Sequence, residues 1–174
     1  MTADWVQGWL IEIPVFTLVI VSTHLVMSLG QTLMHRWLGH RRRGGFLFRN
    51  HIDFHHAHYA KGHLTSTIGE AAEGNNTPFF LIPVALAGAA LFAVLPFGLF
   101  IAASLAAGAS FFAHVQLDKA YHVDRTYLAR FAWFRRKQQQ HFVHHVHANA
   151  NFAVIDFFWD GLMGTYREPE QTLR

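Results

Sequence analysis

The chain has no cysteine among its 174 residues. That absence excludes disulfides, thiolate zinc sites, cysteine-ligated iron–sulfur clusters and cysteine nucleophiles within this sequence. Any metal bound here would have to be held by nitrogen or oxygen atoms. The length predicts a single domain, 1–174.

Lysine and arginine are missing from two long stretches, 1–35 and 62–118. Each stretch contains an apolar run, and roughly 20 helical residues cross the ~30 Å hydrocarbon core of a bilayer. The first run, 10–34, predicts a retained transmembrane helix, because no basic segment precedes it as in a signal peptide. The polar His24 within this helix is interpreted as a residue that bonds to a neighbouring element.

The second apolar run is broken by Pro96 and Gly98, which predicts a helical hairpin of segments 79–95 and 97–113. Each arm is near the lower limit for spanning, so a re-entrant hairpin is the alternative. We therefore expect an all-α integral membrane protein with about three transmembrane helices, one long helix plus the hairpin.

All lysines and arginines fall into two blocks, 36–61 and 119–174. Basic residues gather on the cytoplasmic side of membrane proteins with short loops. This predicts an N-terminus outside and a cytoplasmic cap formed by 35–78 and 114–167, and it disfavours nucleic acid as a partner. Within the cap, 127–137 and 152–163 carry the spacing of short interfacial helices, and the last six residues resemble a disordered tail.

Histidine is abundant, with 14 residues, and 13 of them lie outside the predicted bilayer core, mostly in spaced groups. Neutral imidazole binds iron, zinc and copper, and eight or more imidazoles exceed the needs of one ion, which indicates two metals. On a helix, the spacing of His141 and His145 directs both to one metal, while His144 points about 100° away to the other. His51 and His55 have the same spacing, with His56 adjacent.

Two further groups are less regular. His35 and His40 are five residues apart, which on an α-helix directs them to different metals or across the helix end near Gly39. His114, Asp118 and His122 share one face of a helix that continues the hairpin. Both histidines are candidate ligands, and Asp118 is a candidate ligand or a hydrogen-bond partner that orients an imidazole. Ligand, orienting and solvated roles all stay open for three others, His58, His63 and His147.

These motifs resemble the fatty acid hydroxylase superfamily of membrane proteins, which includes sphingolipid fatty acid 2-hydroxylases, sterol desaturases and carotenoid ring hydroxylases. The resemblance covers about residues 20–167. It rests on His35-x4-His40, His51-x3-His55-His56 and His141-x2-His144-His145, followed by Asn151-Phe152 and an ending Trp159-Asp160-x3-Gly164-Thr165-Tyr166. The chain departs from the family pattern at Asp118, where a histidine is usual.

The resemblance implies an oxidoreductase with two iron ions and O2 as co-substrate, with zinc as an alternative metal. The ten histidines of the four groups would be the ligands, and Asn151 and Asp160 would be further ligands or their hydrogen-bond partners. A lipid-like substrate would be hydroxylated or desaturated, with electrons from a separate ferredoxin or cytochrome b5 type of donor. The alternatives are a carotenoid ring hydroxylase, or a membrane metal-binding protein without oxidase activity.

Overall fold

The computed structural model describes residues 3–68 and 77–169. The described residues are helical, contain no strand, and pair in β fashion only at the isolated bridge between Ser66 and Val123. The expected all-α class is thus confirmed. Residues 69–76 of the predicted cap, and 170–174 of the predicted tail, lie outside the described residues.

Six α-helices follow one another along the chain. They are α1 Ala3–Met34, α2 Phe46–Phe48, α3 Thr77–Val94, α4 Phe97–Tyr121, α5 Ala132–Val146 and α6 Phe158–Met163. Two π-helical stretches, His35–Gly39 and Arg49–His56, and two 3₁₀ turns, Arg42–Gly44 and Tyr127–Arg130, lie between them.

Two helical stretches are long and apolar enough to cross a membrane, Glu12–Gly39 and Phe97–Tyr121. The stretch Phe80–Val94 is apolar but shorter. Among the described residues the structure thus gives two candidate spans, and the expected third segment is the apolar helix α3. Large apolar side chains on all three helices face outwards, as expected where lipid rather than water surrounds them: Leu18, Val26, Leu86, Val94 and Leu105.

Helices α1 and α4 pack along each other. Gly98 begins this contact, since a Cβ atom placed there would be 3.5 Å from Cζ of Phe16. At their other ends, α1 passes into the π-helical stretch at His35, and α4 ends at Tyr121 beside His122. Both helices thus deliver histidines to the same end of the bundle.

The segment 150–157, which we call the strap, is irregular rather than helical. The prediction of one helix over 152–163 is therefore wrong for its first half, and only Phe158–Met163 is helical. The cause is that side chains compete for the strap's backbone: the carboxylate of Asp160 accepts the N–H groups of Phe152 and Ala153. The segment 127–137 is likewise divided, because the chain is extended at Phe131.

The strap closes a small apolar core between α4 and α5. Tyr121, Phe134 and Val154 form this core and are almost completely buried. The hydroxyl of Tyr121 donates a 2.9 Å hydrogen bond to the carbonyl of Val154, which ties the strap to the end of α4. The strap is thereby held directly beneath the histidines of α5.

Candidate metal centre

The structure brings nine histidine side chains together in two adjoining groups. The five-histidine cluster consists of His35, His40, His51, His56 and His144, and the four-histidine cluster of His55, His122, His141 and His145. Within each cluster one ring nitrogen per residue lies within 4.8 Å of all the others. The clusters adjoin where the rings of His56 and His145 stack, with centroids 4.2 Å apart.

The π-helical end of α1 explains why His35 and His40 share a cluster. In a π-helix the N–H of residue i+5 bonds to the carbonyl of residue i, so that side chains five apart become neighbours. The N–H of His40 bonds to the His35 carbonyl at 3.1 Å, and the two Nε2 atoms are 3.3 Å apart. Of the two predicted alternatives, the approach to different metals assumed α-helical geometry and is wrong, whereas the second agrees with the structure, because the helical stretch ends at Gly39 between the two histidines.

The second π-helical stretch, Arg49–His56, has the same effect on the next motif. His51 and His56 are five apart and join the five-histidine cluster, with Nε2 atoms 3.0 Å apart. His55 joins the other cluster. His51 and His55, the pair expected from their spacing, therefore lie in different clusters, although their rings stack with centroids 5.4 Å apart.

The tract on α5 is α-helical and divides as its spacing predicts. His141 and His145 lie in the four-histidine cluster with Nε2 atoms 3.2 Å apart. His144 points to the five-histidine cluster, where its Nε2 is 3.0 Å from that of His40. One helix therefore supplies imidazoles to both clusters.

The group on α4 contributes one histidine to the clusters rather than two. His122 lies 3.0 Å from His141, measured between Nε2 atoms. His114 is in neither cluster and packs against the ring of Phe80. Asp118 is also outside, although one of its carboxylate oxygens is 3.5 Å from Nε2 of His141. The geometry thus gives Asp118 an electrostatic role beside the four-histidine cluster, and it gives no support to His114 as a ligand.

The three histidines whose roles were open lie outside both clusters. His63 is exposed, and the ring of His58 contacts those of Tyr59 and His63. His147 ends α5, where its N–H bonds to the carbonyl of Val143 at 2.7 Å. None of the three offers a nitrogen to the clustered atoms.

Backbone carbonyls set the tautomer of four clustered rings. Nδ1 of His35 bonds to the Phe152 carbonyl at 2.5 Å, and Nδ1 of His144 to the Ala150 carbonyl at 2.7 Å. In the other cluster, Nδ1 of His122 bonds to the Leu64 carbonyl at 2.7 Å, and Nδ1 of His145 to that of Tyr59 at 3.0 Å. Because a carbonyl can only accept, each Nδ1 carries the proton.

This tautomer leaves a bare lone pair on Nε2 of each of these neutral rings, and the lone pairs point into the clusters. Unprotonated nitrogens at such distances repel one another unless a cation lies between them. Metal-bound histidines have this same arrangement, with the far nitrogen donating to a carbonyl or carboxylate. The donor set therefore fits metal ions that accept neutral imidazole.

Burial lowers the pKa of most of the clustered imidazoles and keeps them neutral. Desolvation, and after it the charge of neighbouring imidazoles, lowers the pKa well below 6.5 for His51, His141, His144 and His145. Burial also lowers the pKa of His122 to about 4, against the opposing effects of Asp118 and the Leu64 carbonyl. Neutral rings do not need to lose a proton before they bind a metal.

Asp160 and Asn151 fasten the strap that carries two of these carbonyls. The fully buried Asp160 accepts hydrogen bonds from the N–H groups of Phe152 and Ala153 and from the hydroxyl of Thr165, all between 2.7 and 2.9 Å. Asn151 has a left-handed backbone (φ 52°), and its amide group bonds to the backbone of Gln140 and Arg167. Both residues are therefore placed to orient imidazoles through the strap rather than to bind metal.

Sequence reasoning missed two aromatic residues of the site. Tyr59 is 1% exposed, stacks on the ring of His122 at 3.9 Å and supplies the carbonyl for His145. Tyr121 is fully buried, and its ring lies 5.1 Å from that of His141. The only sequence signal was their proximity to histidines, three residues after His56 and directly before His122.

His24 pairs with the strap from the apolar part of α1. Its Nε2 lies 3.1 Å from a carboxylate oxygen of Asp156. One turn further along α1, the hydroxyl of Ser28 accepts a 3.2 Å hydrogen bond from the indole of Trp159. His24 thus bonds to a neighbouring element, in agreement with its interpretation as a packing residue.

A family model of fatty acid hydroxylases matches residues 9–165. The chain belongs to the fatty acid hydroxylase family. The resemblance inferred from the motifs is confirmed, and the match includes all nine histidines of the two clusters. No curated protein and no solved structure gave a significant match. Family membership, the apolar helices and the histidine clusters together indicate a membrane-associated, metal-dependent member of this hydroxylase family.

Proposed function

We propose that this protein is an O2-dependent, non-haem di-iron oxidoreductase that hydroxylates an unactivated C–H bond of a lipid-like substrate. The observation that carries the proposal is the pair of adjoining all-imidazole clusters, one with five nitrogens and one with four. Two ions fit this arrangement better than one, because nine imidazoles exceed any common coordination number. Membership of the fatty acid hydroxylase family supports the reaction class.

Two iron ions bound here would supply the redox chemistry that unactivated C–H bonds require. Hydroxylation consumes O2, two electrons and two protons per substrate and yields the alcohol and water; desaturation of the same substrate would remove two hydrogens instead. No cysteine is available in this sequence for an iron–sulfur cluster. The electrons would therefore come from a separate carrier of the ferredoxin or cytochrome b5 type.

The chain's own residues hold and shield the centre. Carbonyls of the strap, Tyr59 and Leu64 orient four rings, and burial by Tyr121 and Phe134 excludes water from beneath α5. Exposed aromatic residues near the start of α5, such as Tyr127 and Trp133, would lie at the bilayer surface and admit a substrate from the membrane. By the distribution of basic residues, the cap faces the cytoplasm and the N-terminus lies outside.

Metal analysis of untagged protein, purified without chelators, tests the proposal. We expect about two irons per chain, since each cluster offers the ligands of one ion. Zinc also accepts neutral imidazoles, and zinc in both clusters of catalytically active protein would contradict the iron assignment. Lipid profiling of cells with and without the gene should then show a mass gain of one oxygen, or a loss of two hydrogens if the enzyme is a desaturase.

Replacing single histidines tests which of them bind the metal. His144→Ala should lose metal and turnover, because this ring is fully buried and its Nε2 lies 3.0 and 3.1 Å from those of His40 and His56. His63→Ala is the matched control, since His63 is exposed and lies outside both clusters. Equal metal content and activity in the two variants would refute the assignment.

A further inference from the structure

Four exposed arginines lie close in sequence to residues of the five-histidine cluster. Arg41, Arg42 and Arg43 directly follow the cluster residue His40, and Arg49 precedes the cluster residue His51 by two positions. We call these four residues the arginine rim. None of them forms an ion pair within the described part of the chain.

A tight turn places the backbone of Arg41, Arg42 and Arg43 next to the five-histidine cluster. A Cβ atom on Gly44 would lie 1.9 Å from the carbonyl oxygen of Leu38, so the chain closes on itself there. The N–H groups of Gly44 and Gly45 bond to the carbonyls of Arg41 and Arg42 at 2.8 and 3.1 Å. Beneath the turn, Gly39 packs against the rings of His35 and His51, with contacts of 3.2 Å from an added Cβ. The backbone that carries Arg41, Arg42 and Arg43 is therefore tied to the cluster.

The segment 36–61 that contains the rim is strongly basic. Residues 36–61 contain six basic side chains and one acidic side chain, Asp53, which gives a net charge of +5 (six minus one). Such a concentration of one sign steers a partner of opposite charge and raises its association rate. A partner for this surface should be acidic.

An aromatic depression lies within the same surface. A shallow cavity of about 290 Å³ is lined by Phe46, Arg49, Asn50 and Phe54. The side chains of Phe46 and Phe54 are 45% and 51% exposed. Aromatic anchors surrounded by arginines are typical of protein–protein contact sites, where both residue types are enriched. The surface thus combines an apolar centre with a charged edge.

We propose that the arginine rim and its aromatic depression dock an acidic, one-electron carrier protein that reduces the metal centre. The inference rests on the proposed function, whose reaction needs two electrons for each O2. The carrier would deliver them singly in two encounters, and each encounter oxidises one reduced carrier. Docking at Arg41 would bring the carrier one residue from a ligand of the five-histidine cluster.

The test uses the iron-loaded, full-length protein in nanodiscs and a reduced, acidic [2Fe–2S] ferredoxin as the probe. Stopped-flow absorbance would measure the rate of ferredoxin oxidation by the wild type and by Arg42→Glu/Arg43→Glu. Each Arg→Glu change replaces a positive by a negative charge, so the variant differs from the wild type by four charge units. The second-order rate constant should fall by about tenfold to a hundredfold at low salt, and the difference should shrink as salt rises. Ferredoxin binding to the metal-free protein should weaken in parallel.

Lys119→Glu/Arg136→Glu is the matched control. It makes the same charge change at exposed basic residues of α4 and α5, outside the rim, and should retain most of the wild-type rate. If the rim variant and this control lose rate equally, net charge explains the effect and docking at the rim is overturned. Loss confined to nanodiscs with anionic lipid would likewise overturn it, because the rim would then bind headgroups.

Chemical reduction separates this proposal from the proposed function. Dithionite is small and needs no docking surface, so at high salt, where its negative charge is screened, it should reduce the iron of the rim variant as fast as that of the wild type. If the reduced wild-type protein fails to react with O2 after removal of dithionite, the proposed function fails and the carrier proposal falls with it. If the wild type reacts but the rim variant accepts ferredoxin electrons at the control rate, the docking proposal alone is refuted.

Discussion

Asp160 offers the most direct way to separate orientation of the ligands from ligation itself. Its carboxylate contacts no clustered histidine, yet it accepts three hydrogen bonds that shape the strap. The strap in turn supplies the carbonyls that orient His35 and His144. Asp160→Asn keeps the size of the side chain, removes its negative charge and replaces one acceptor oxygen by a donor NH2 group.

The expected cost follows from the geometry. An asparagine retains one oxygen, so its NH2 group must face the N–H of either Phe152 or Ala153, both within 2.9 Å of the carboxylate. The variant loses a bond to a charged acceptor and leaves a buried donor without a partner, for a combined loss of about 2–4 kcal/mol. Because the strap orients two rings of the five-histidine cluster, metal affinity should fall about tenfold to a hundredfold.

Two measurements on detergent-purified protein check this prediction. Chelator competition gives metal affinity, and thermal unfolding of the metal-free form gives stability. Asp124→Asn is the control, because Asp124 is exposed and its side chain makes no contact with the strap. A variant with lowered stability but unchanged metal affinity would refute the reasoning, since the strap would then contribute to folding without positioning the ligands.

The remaining predictions concern α4 and pH. His122→Ala should lose metal from the four-histidine cluster, whereas His114→Ala should keep it, because only His122 lies among the clustered nitrogens; metal analysis showing equal loss would contradict this. The free energy of unfolding of the metal-free protein should fall as pH falls below 6.5, because the unfolded chain then binds protons that the folded clusters do not. The loss should be about 1.4 kcal/mol per pH unit for each neutral buried histidine such as His122. Above pH 6.5 this contribution is complete, and a thermal midpoint that stays constant between pH 6.5 and 5 would show that the clustered rings are not held neutral.

Pattern and spacing alone indicated the donor atoms of the candidate metal centre. The absence of cysteine and the presence of 14 histidines indicated a nitrogen-ligated centre. The histidine motifs and the ending around Trp159-Asp160 indicated the family, which the match to the family model then confirmed. The division of the α5 tract also followed from sequence, because this tract is an ordinary α-helix whose side-chain directions depend only on residue number. The apolar runs likewise indicated the helices, since length and hydropathy are local properties.

Tertiary structure decided which histidines share a cluster. Both π-helical stretches move i, i+5 pairs together, and nothing in the residues of His35–Gly39 or Arg49–His56 announces the wider turn. The pairing of His51 with His56, rather than with His55, depends on rings that approach from α1 and α5, which are remote in sequence.

The sequence by itself thus determined the donor type of the candidate centre and its apolar helices, because ligand type and apolar length are properties of single residues and short runs. Only the tertiary structure determined the role of the strap and the exclusion of His114. Hydrogen bonds between Phe152 and His35, 117 residues apart, depend on how the chain folds back across α1. A helix face that points to the site in a sequence diagram, as that of His114 does, reaches the clusters only if the packed helices bring it there.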